Sequence, residues 1–450
     1  MPEDFSIDTF LHDSVKKGRI SGAFLRSQEF IDILDSWEVN KTKGYEQLFY
    51  SRNEQLKVNL TREGARLYNL SRDIFNEEEE VLDGVNIDLT TGYKDYKFYS
   101  RSRFPEEAVR GTKYVALLEY EKVNGPVRTN IITSRHTLLD LMMIIFKKEF
   151  FCTNLVHYGG QIYMESNRKS LPIDKSSMTG YNFEAVVTVQ NEDDTKKPFV
   201  FVPLKSNAIK YNSMILHEFP SLDTSILVSC EIDAIKQEFD KSQEMTLETD
   251  SRTEVLENYI ELKSKIGISN SSIIKAILQC YVAGTSDLKV GIRDKHSSCL
   301  KRVAEIDVKE YIHSKGSFKL RYLDKWLAFI CSFIKLSVRR RCKGGSKREF
   351  RVVFDLRNDM LKIFPYSLNK DDLEITVLPK YLAWRAQELE SRNLKDSFGA
   401  KKHCKKADLV KDNKEYKRKK GKKKRQELQK GKDDISNIDG ISNDLKSIHF

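Results

Sequence analysis

Two short acidic patterns stand inside apolar, β-branched runs: Glu231-Ile232-Asp233 within Ser225–Ile235, and Glu261-Leu262-Lys263 within Tyr259–Ile266. Each run reads as one mostly buried strand. A period of two along a strand turns Glu231 and Asp233 to one face, and Glu261 and Lys263 to one face, with Ile232 and Leu262 pointing into the core behind. Burying that many ionisable groups is costly unless something pairs with them, and a divalent cation is the simplest partner. A carboxylate set of this kind, with a lysine beside it, suits metal-assisted hydrolysis.

Other pieces fall around these two in a fixed order. Thr133-Ser134-Arg135-His136 precedes an amphipathic run, and Gly180-Tyr181-Asn182-Phe183-Glu184 precedes the acidic strands. Lys275-Ala276-Ile277-Leu278-Gln279 and Gly291-Ile292-Arg293 follow them. In this order the pieces resemble the DXO family of decapping and 5′-end-processing enzymes, whose core is related to the wider Asp/Glu-x-Lys nucleases. The resemblance spans roughly residues 45 to 385 and looks most like the yeast cytoplasmic branch, rather than the nuclear branch that partners a larger exonuclease. Asn182 stands where the family usually has lysine, and Ile277 where it often has tryptophan.

The resemblance implies an α+β fold, mixed β-sheets flanked by helices, with Glu184 on a helix facing the acidic strands. It implies Mg2+ or Mn2+, as two ions about 3.5–4 Å apart, held directly by Glu184, Asp233, Glu261 and the Leu262 carbonyl, with Glu231 acting mainly through a water. Lys263 would orient and assist the nucleophilic water, and Arg135 and Gln279 would position the phosphate. Arg293 is left between a structural salt bridge and an RNA contact. The implied substrates are RNA 5′ ends, capped, NAD-capped or 5′-phosphorylated. The implied role is removal of incomplete or NAD caps and 5′ to 3′ degradation in mRNA 5′-end quality control. The alternative is a weakly catalytic or non-catalytic stimulatory partner of a larger 5′–3′ exoribonuclease, and a DNA exonuclease of the same superfamily is a further rival.

The surrounding elements must position these residues. Helical spacing in Ser27–Leu34 predicts a peripheral helix in an N-terminal extension over 1–45. Residues 46–112 show little sustained periodicity, the acidic run Glu77–Glu80 reads as a solvated loop, and Lys113–Tyr120 reads as the first core strand. Leu138, Leu141, Met142, Ile145 and Phe146 share a helical face, which sets Arg135 near the positive end of a helix, placed to fork onto a phosphate. Thr153–His157 and Gln161–Met164 read as two strands turned by Gly159-Gly160. Phe183–Thr188 permits strand on its β-branched residues alone, whereas the resemblance puts it on a helix. The polar stretch 236–257 rules out a tight hairpin between the acidic strands and reads as a mobile insertion at the rim of the site.

Further along, Ser271–Gln279 reads as a helix with Ile273, Ile274 and Ile277 on its core face, followed by a strand at Asp287–Arg293. Trp326, Phe329, Ile330, Phe333 and Ile334 form a core stripe, and Arg339–Arg348 a basic loop that lacks the order of a nucleotide-binding loop. Strands near Glu349–Asp355 and Met360–Pro365 and a helix around Lys380–Arg392 complete a catalytic domain drawn over 46–398.

The chain has 450 residues, 40% of them hydrophobic, enough for one large domain with a substantial core. Its seven cysteines are scattered and unpaired in spacing, which suits reduced thiols in a cytosolic or nuclear protein. The longest apolar stretch, Trp326–Ile334, is too short to cross a bilayer, so no membrane partner is expected. Residues 401–430 hold fifteen Lys or Arg against four Asp or Glu, which matches the net charge of +11 for the whole chain and leaves the body near neutral. That basic tail, 399–450, reads as a solvated disordered segment, a nuclear-import signal or an RNA tether, so the expected location is cytoplasmic, nuclear or both.

Overall fold

The computed structural model describes residues 6–42, 44–70, 86–95, 106–166, 175–191, 193–194, 198–203, 209–239, 249–315, 318–342, 348–369, 372, 377–388 and 390–391. The acidic run at 77–80, residues 240–248 of the polar insertion, residues 343–347 of the basic loop and the tail from 399 lie outside them. Residues up to Arg385 form one compact unit and those from Ala386 a second. The fold below is that of the first.

Two sheets carry the unit. The larger has ten strands in the order β1 (Arg19–Ser21), β16 (Met360–Pro365), β15 (Arg348–Asp355), β6 (Phe151–Tyr158), β7 (Gln161–Ser166), β5 (Ile131–Ser134), β10 (Thr224–Glu231), β9 (Lys210–Phe219), β2 (Tyr45–Arg52) and β3 (Val58–Asn59). The smaller has six, in the order β14 (Leu300–Asp307), β13 (Asp287–Arg293), β12 (Tyr259–Lys265), β11 (Ala234–Ile235), β4 (Leu67–Tyr68) and β8 (Thr188–Val189). The helices are α1 (Ile7–Lys17), α2 (Gly22–Leu25), α3 (Gln28–Ser36), α4 (Glu106–Asn124), α5 (Arg135–Met142), α6 (Lys175–Val186), α7 (Thr249–Glu254), α8 (Asn270–Ala283), a single turn α9 (Val308–Glu310) and α10 (Leu323–Arg341). The α+β class and the mixed sheets flanked by helices are as the sequence implied. Among the described residues no helix is long and apolar enough to cross a membrane.

The β6–β7 hairpin turns on Gly159 and Gly160 at φ 58° and 81°, the pair of positive angles that a two-residue hairpin loop demands and glycine supplies without strain. Strands β12 and β13 run parallel, so the chain needs a crossover between them, and α8 is that crossover.

Four local readings change. Lys113–Tyr120 is not a strand but the middle of α4. There Tyr114, Leu117, Leu118 and Glu121 recur at helical spacing and are all buried, and a short apolar run conceals that period. Residues 46–112 do contain a core strand, β2, whose Leu48, Phe49 and Tyr50 are buried. The run Ser225–Ile235 is two strands, because the chain leaves the larger sheet after Glu231 and enters the smaller one at Ala234. The N-terminal helix α3 is not peripheral in its packing. Phe30 is fully buried, 5.9 Å from Trp326 and 5.4 Å from Phe329 between ring centroids, and burying such a ring contributes about 1.5–3 kcal/mol.

A buried polar network ties the two sheets. Glu46 of β2 accepts hydrogen bonds from Ser213 of β9 at 2.7 Å, from Tyr259 of β12 at 2.5 Å and from Arg62. The Arg62 guanidinium also lies over the rings of Phe49 and Phe239. Such a network costs little when every member is satisfied and fixes where β12 begins.

Candidate active site

The site lies where the larger sheet hands the chain to the smaller. Parallel pairing of β5 with β10 sets Ser134 opposite Ser229, so Arg135 leaves β5 at the level where β10 reaches Cys230 and Glu231. Antiparallel pairing sets Ala234 opposite Ile260, which brings Asp233 level with Glu261. The Leu262 amide donates to Asp233 Oδ2 at 2.9 Å and locks that alignment. Helix α6 packs on β12 and delivers Glu184. Its neighbour Phe183 is fully buried against Gly291, where a Cβ would stand 2.5 Å from the ring. Gly291 thus lacks a side chain because Phe183 occupies that space, which couples the Gly-Tyr-Asn-Phe-Glu and Gly-Ile-Arg pieces physically. Asn182 is buried and donates to the carbonyls of Leu89 and Thr91, each at 2.9 Å. It holds a neighbouring loop rather than facing the carboxylates.

Four carboxylates face four cations. Glu261 accepts from Arg135 at 2.5 Å and from Lys263. Lys263 also donates to the Leu262 carbonyl at 2.9 Å and lies 3.5 Å from Asp233. Glu231 pairs with Lys210, whose ammonium sits over the Tyr181 ring. Glu184 is 3.4 Å from Arg66. Sequence reading missed Lys210 and Arg66. Lys210 opens β9 beside β10 and Arg66 immediately precedes β4, so only cross-strand register, which no local pattern carries, brings them here.

The charges do not cancel evenly. Burial, then the neighbouring Asp233 charge, push the Glu184 carboxyl up to about 7 against the partial relief of Lys210 and Arg66. Burial, then Glu261, raise Asp233 to about 6. Burial would also raise Glu261 and Glu231, but Arg135 and Lys263 hold Glu261 below the usual range and Lys210 holds Glu231 down to about 2. Burial alone would lower Arg135, Lys210 and Lys263, yet the carboxylates around each raise all three. Two firmly ionised acids thus stand beside two that resist ionisation, the signature of burial and carboxylate crowding that the cations nearest Glu184 and Asp233 only partly offset.

That signature is the test of fit for a divalent ion. The donors are all oxygens, hard enough for Mg2+, Mn2+ or Ca2+, and an added positive charge would offset the burial and the mutual repulsion that raise Glu184 and Asp233. The side chains themselves are turned onto their cations. Among the described residues no three Asp, Glu, His or Cys groups stand together as a ready ion cage. The structure therefore brings Glu184, Glu231, Asp233 and Glu261 into one electrostatic cluster without showing ligation by them or by Leu262.

Gln279 and Arg293 are placed differently. Gln279 is half-buried on α8, and its neighbour Cys280 feels the charges of Glu261, Lys263, Arg135 and Asp233, so this turn of α8 borders the cluster. Arg293 ends β13 and donates to Ser176 of α6 at 3.4 Å. It makes no ion pair among the described residues and does not join the carboxylates.

The family model described as RAI1 like PD-(D/E)XK nuclease matches residues 42–381, about three quarters of the chain. The chain belongs to that family. Its two acidic pieces supply the Asp/Glu-x-Lys pattern at Glu261-Leu262-Lys263, with Asp233 held against it. Decapping and exoribonuclease protein 1 of Kluyveromyces lactis is 21% identical over 310 residues, covering 65% of this chain and 72% of the relative. Candida albicans Rai1, solved in complex with pU5 and Mn2+, superposes with a TM-score of 0.61 at 17% identity, over 78% of this chain and 97% of that one. Scheffersomyces stipitis Rai1, solved with (3′-NADP)+ and a calcium ion, gives 0.60 at 20% identity, over 78% of this chain and 96% of that one. These likenesses establish the nuclease fold for the family member described above.

Proposed function

We propose that this chain is a divalent-metal-dependent hydrolase of RNA 5′ ends, which removes incomplete or NAD caps and degrades RNA from the 5′ end. The observation that carries the reading is the charge pattern of the cluster: four carboxylates from α6, β10, the following turn and β12 crowded together, two of them kept from ionising by burial and by their neighbours, with Lys263 and Arg135 at its centre. The name of the Kluyveromyces lactis relative and the pU5-Mn2+ and (3′-NADP)+ complexes of the two Rai1 proteins support the choice of substrate and ion.

Glu184, Asp233 and Glu261, with Glu231 beside them, would hold the ion. When bound, it supplies Lewis-acid polarisation of the phosphoryl oxygen and a water that ionises near neutral pH. Lys263 keeps its ammonium charged next to Asp233 and Glu261, where it offsets charge building on the phosphate and holds the attacking water in line. Arg135 uses one guanidinium nitrogen on Glu261. Its other N–H groups have no protein acceptor among the described residues, so the fork remains free to position a phosphate. The Gln279 carboxamide likewise makes no hydrogen bond to protein among the described residues, and it stands on the turn of α8 that borders the cluster.

Product analysis tests the reading. RNAs labelled at the 5′ end and carrying monophosphate, triphosphate, unmethylated cap, methylated cap or NAD are each incubated with Mn2+ and with chelator. The expected result is release of cap dinucleotide, NAD or mononucleotide with Mn2+ alone. Intact RNA of every kind under both conditions would refute it.

A further inference from the structure

Strand β12 and helix α8 carry two cations that the chemistry above does not use. Lys265 closes β12 two residues after Lys263, so both side chains leave the same face of the strand. That face is the one α8 covers. Tyr259, of the same parity, shares a hydrophobic cluster with Ile273, Ala276 and Ile277 of α8, whereas Ile260 and Leu262 belong to the cluster that includes Phe183 and Val187. Because α8 returns the chain from the end of β12 to the start of the parallel β13, its N-terminal half lies beside Lys265 and its C-terminal half beside Glu261. Lys275 stands four residues before Gln279, on the same stripe of α8.

Lys265 feels the charge of Lys275. Partial burial, then the charges of Lys263 and Lys275, press the Lys265 ammonium below the usual lysine range. The other lysines around these strands are matched: Lys210 with Glu231, Lys236 with Asp287, Lys263 with Glu261 and Lys289 with Glu305. Lys265 and Lys275 have no carboxylate partner among the described residues. The loop joining them presents Ile266 and Ile268, 50% and 41% exposed. Unmatched ammonium groups beside exposed apolar side chains suit a nucleotide, which offers a phosphate and a base face together.

We propose that Lys265 and Lys275 form a second anion subsite, which holds the phosphate on the 3′ side of the scissile linkage in single-stranded RNA. Two residues of strand advance about 6.7 Å, close to one nucleotide step along an extended backbone, so Lys263 and Lys265 are spaced for consecutive phosphates. The inference rests on the nuclease reading above and deepens it: the substrate is an oligonucleotide gripped at two successive phosphates, not an isolated 5′ nucleotide.

The test compares wild type with Lys265→Gln/Lys275→Gln and with Lys275→Gln alone, an exposed position whose loss leaves the core untouched. Fluorescence anisotropy measures binding of 3′-labelled, 5′-phosphorylated hexauridine and diuridine in Ca2+ across a salt series, and cleavage is followed in Mn2+. The double variant is expected to weaken hexauridine binding and raise its KM roughly three- to tenfold. Its slope of log K against log salt should be shallower by about 0.7 for each phosphate that the variant no longer neutralises. Diuridine, which has no phosphate beyond the scissile one, should change by less than about twofold on the same scale. Unchanged hexauridine affinity and salt slope, or an equal weakening for diuridine, would overturn the subsite. If wild type binds hexauridine, the variants weaken it and neither cleaves, the subsite stands and the nuclease reading falls.

Discussion

Glu184→Gln probes the buried, crowded carboxyl directly. The Glu184 carboxyl is raised to about 7, against 4.5 for a solvated glutamate, by burial first and by Asp233 next. A carboxyl whose pKa is higher in the folded than in the unfolded chain binds more protons when folded. Folding stability therefore falls as pH rises from about 4.5 to about 7, and the whole penalty is present above that. A difference of about 2.5 pH units at about 1.36 kcal/mol each sets a ceiling near 3.4 kcal/mol. The side chain is 17% exposed and shares its charge balance with Asp233, so about 1–3 kcal/mol is the expected size. Thermal unfolding in chelator is the assay. Glu184→Gln should be more stable than wild type at pH 8 by that amount, a rise of about 1–4 °C for a unit of this size, and the gain should shrink to about a quarter at pH 5. Adding Mn2+ should reverse the order, because wild type then gains a ligand interaction that glutamine forfeits. A variant less stable than wild type at pH 8 in chelator, or equally stabilised at both pH values, would refute the reasoning.

Gly291→Ala places a methyl 2.5 Å from the Phe183 ring. It should cost about 1–3 kcal/mol of stability in denaturant titrations and, by displacing α6 beside Glu184, lower turnover more than RNA affinity. Glu231→Ala with Asp233→Ala should abolish cleavage while leaving RNA binding largely intact in anisotropy measurements, since removing acidic charge does not weaken phosphate attraction. Deleting the residues after Phe398 removes the basic tail and should weaken RNA binding mainly at low salt, with kcat unchanged at saturating RNA in cleavage assays.

Glu261 and Lys263 were legible because a buried strand announces its period of two and ionisable residues on it demand a partner, whereas Glu231 ends β10 and Asp233 stands in the turn before β11, so that period does not join them. The Gly159-Gly160 hairpin was legible because its turn leaves few alternatives to glycine. The break between Glu231 and Ala234 was not, since an apolar run reads the same whether its residues pair in one sheet or two. Helix α4 was hidden for a related reason. Its buried charges, Lys113 and Glu121, are neutralised by Glu165 and Arg385 from distant strands and helices, so locally they look like the polar positions of a strand. Arg66 and Lys210 lie outside every acidic piece and come to the cluster through tertiary register alone. The resemblance put Phe183–Thr188 on a helix, which holds as far as Val186, and the strand that the β-branched residues allow begins at Thr188 in β8.

Calorimetric titration of Mn2+ in two buffers of different ionisation enthalpy tests the carboxylate cluster most directly, because it reads ion binding and proton release together. Wild type is expected to bind the ion, and Glu184→Gln/Asp233→Asn to fail to do so. Wild type is also expected to release protons near pH 6, where Glu184 at about 7 and Asp233 at about 6 still hold them, with the release fading toward pH 8. Absence of binding by wild type, or binding that survives the double substitution with no protons released at pH 6, would contradict this expectation.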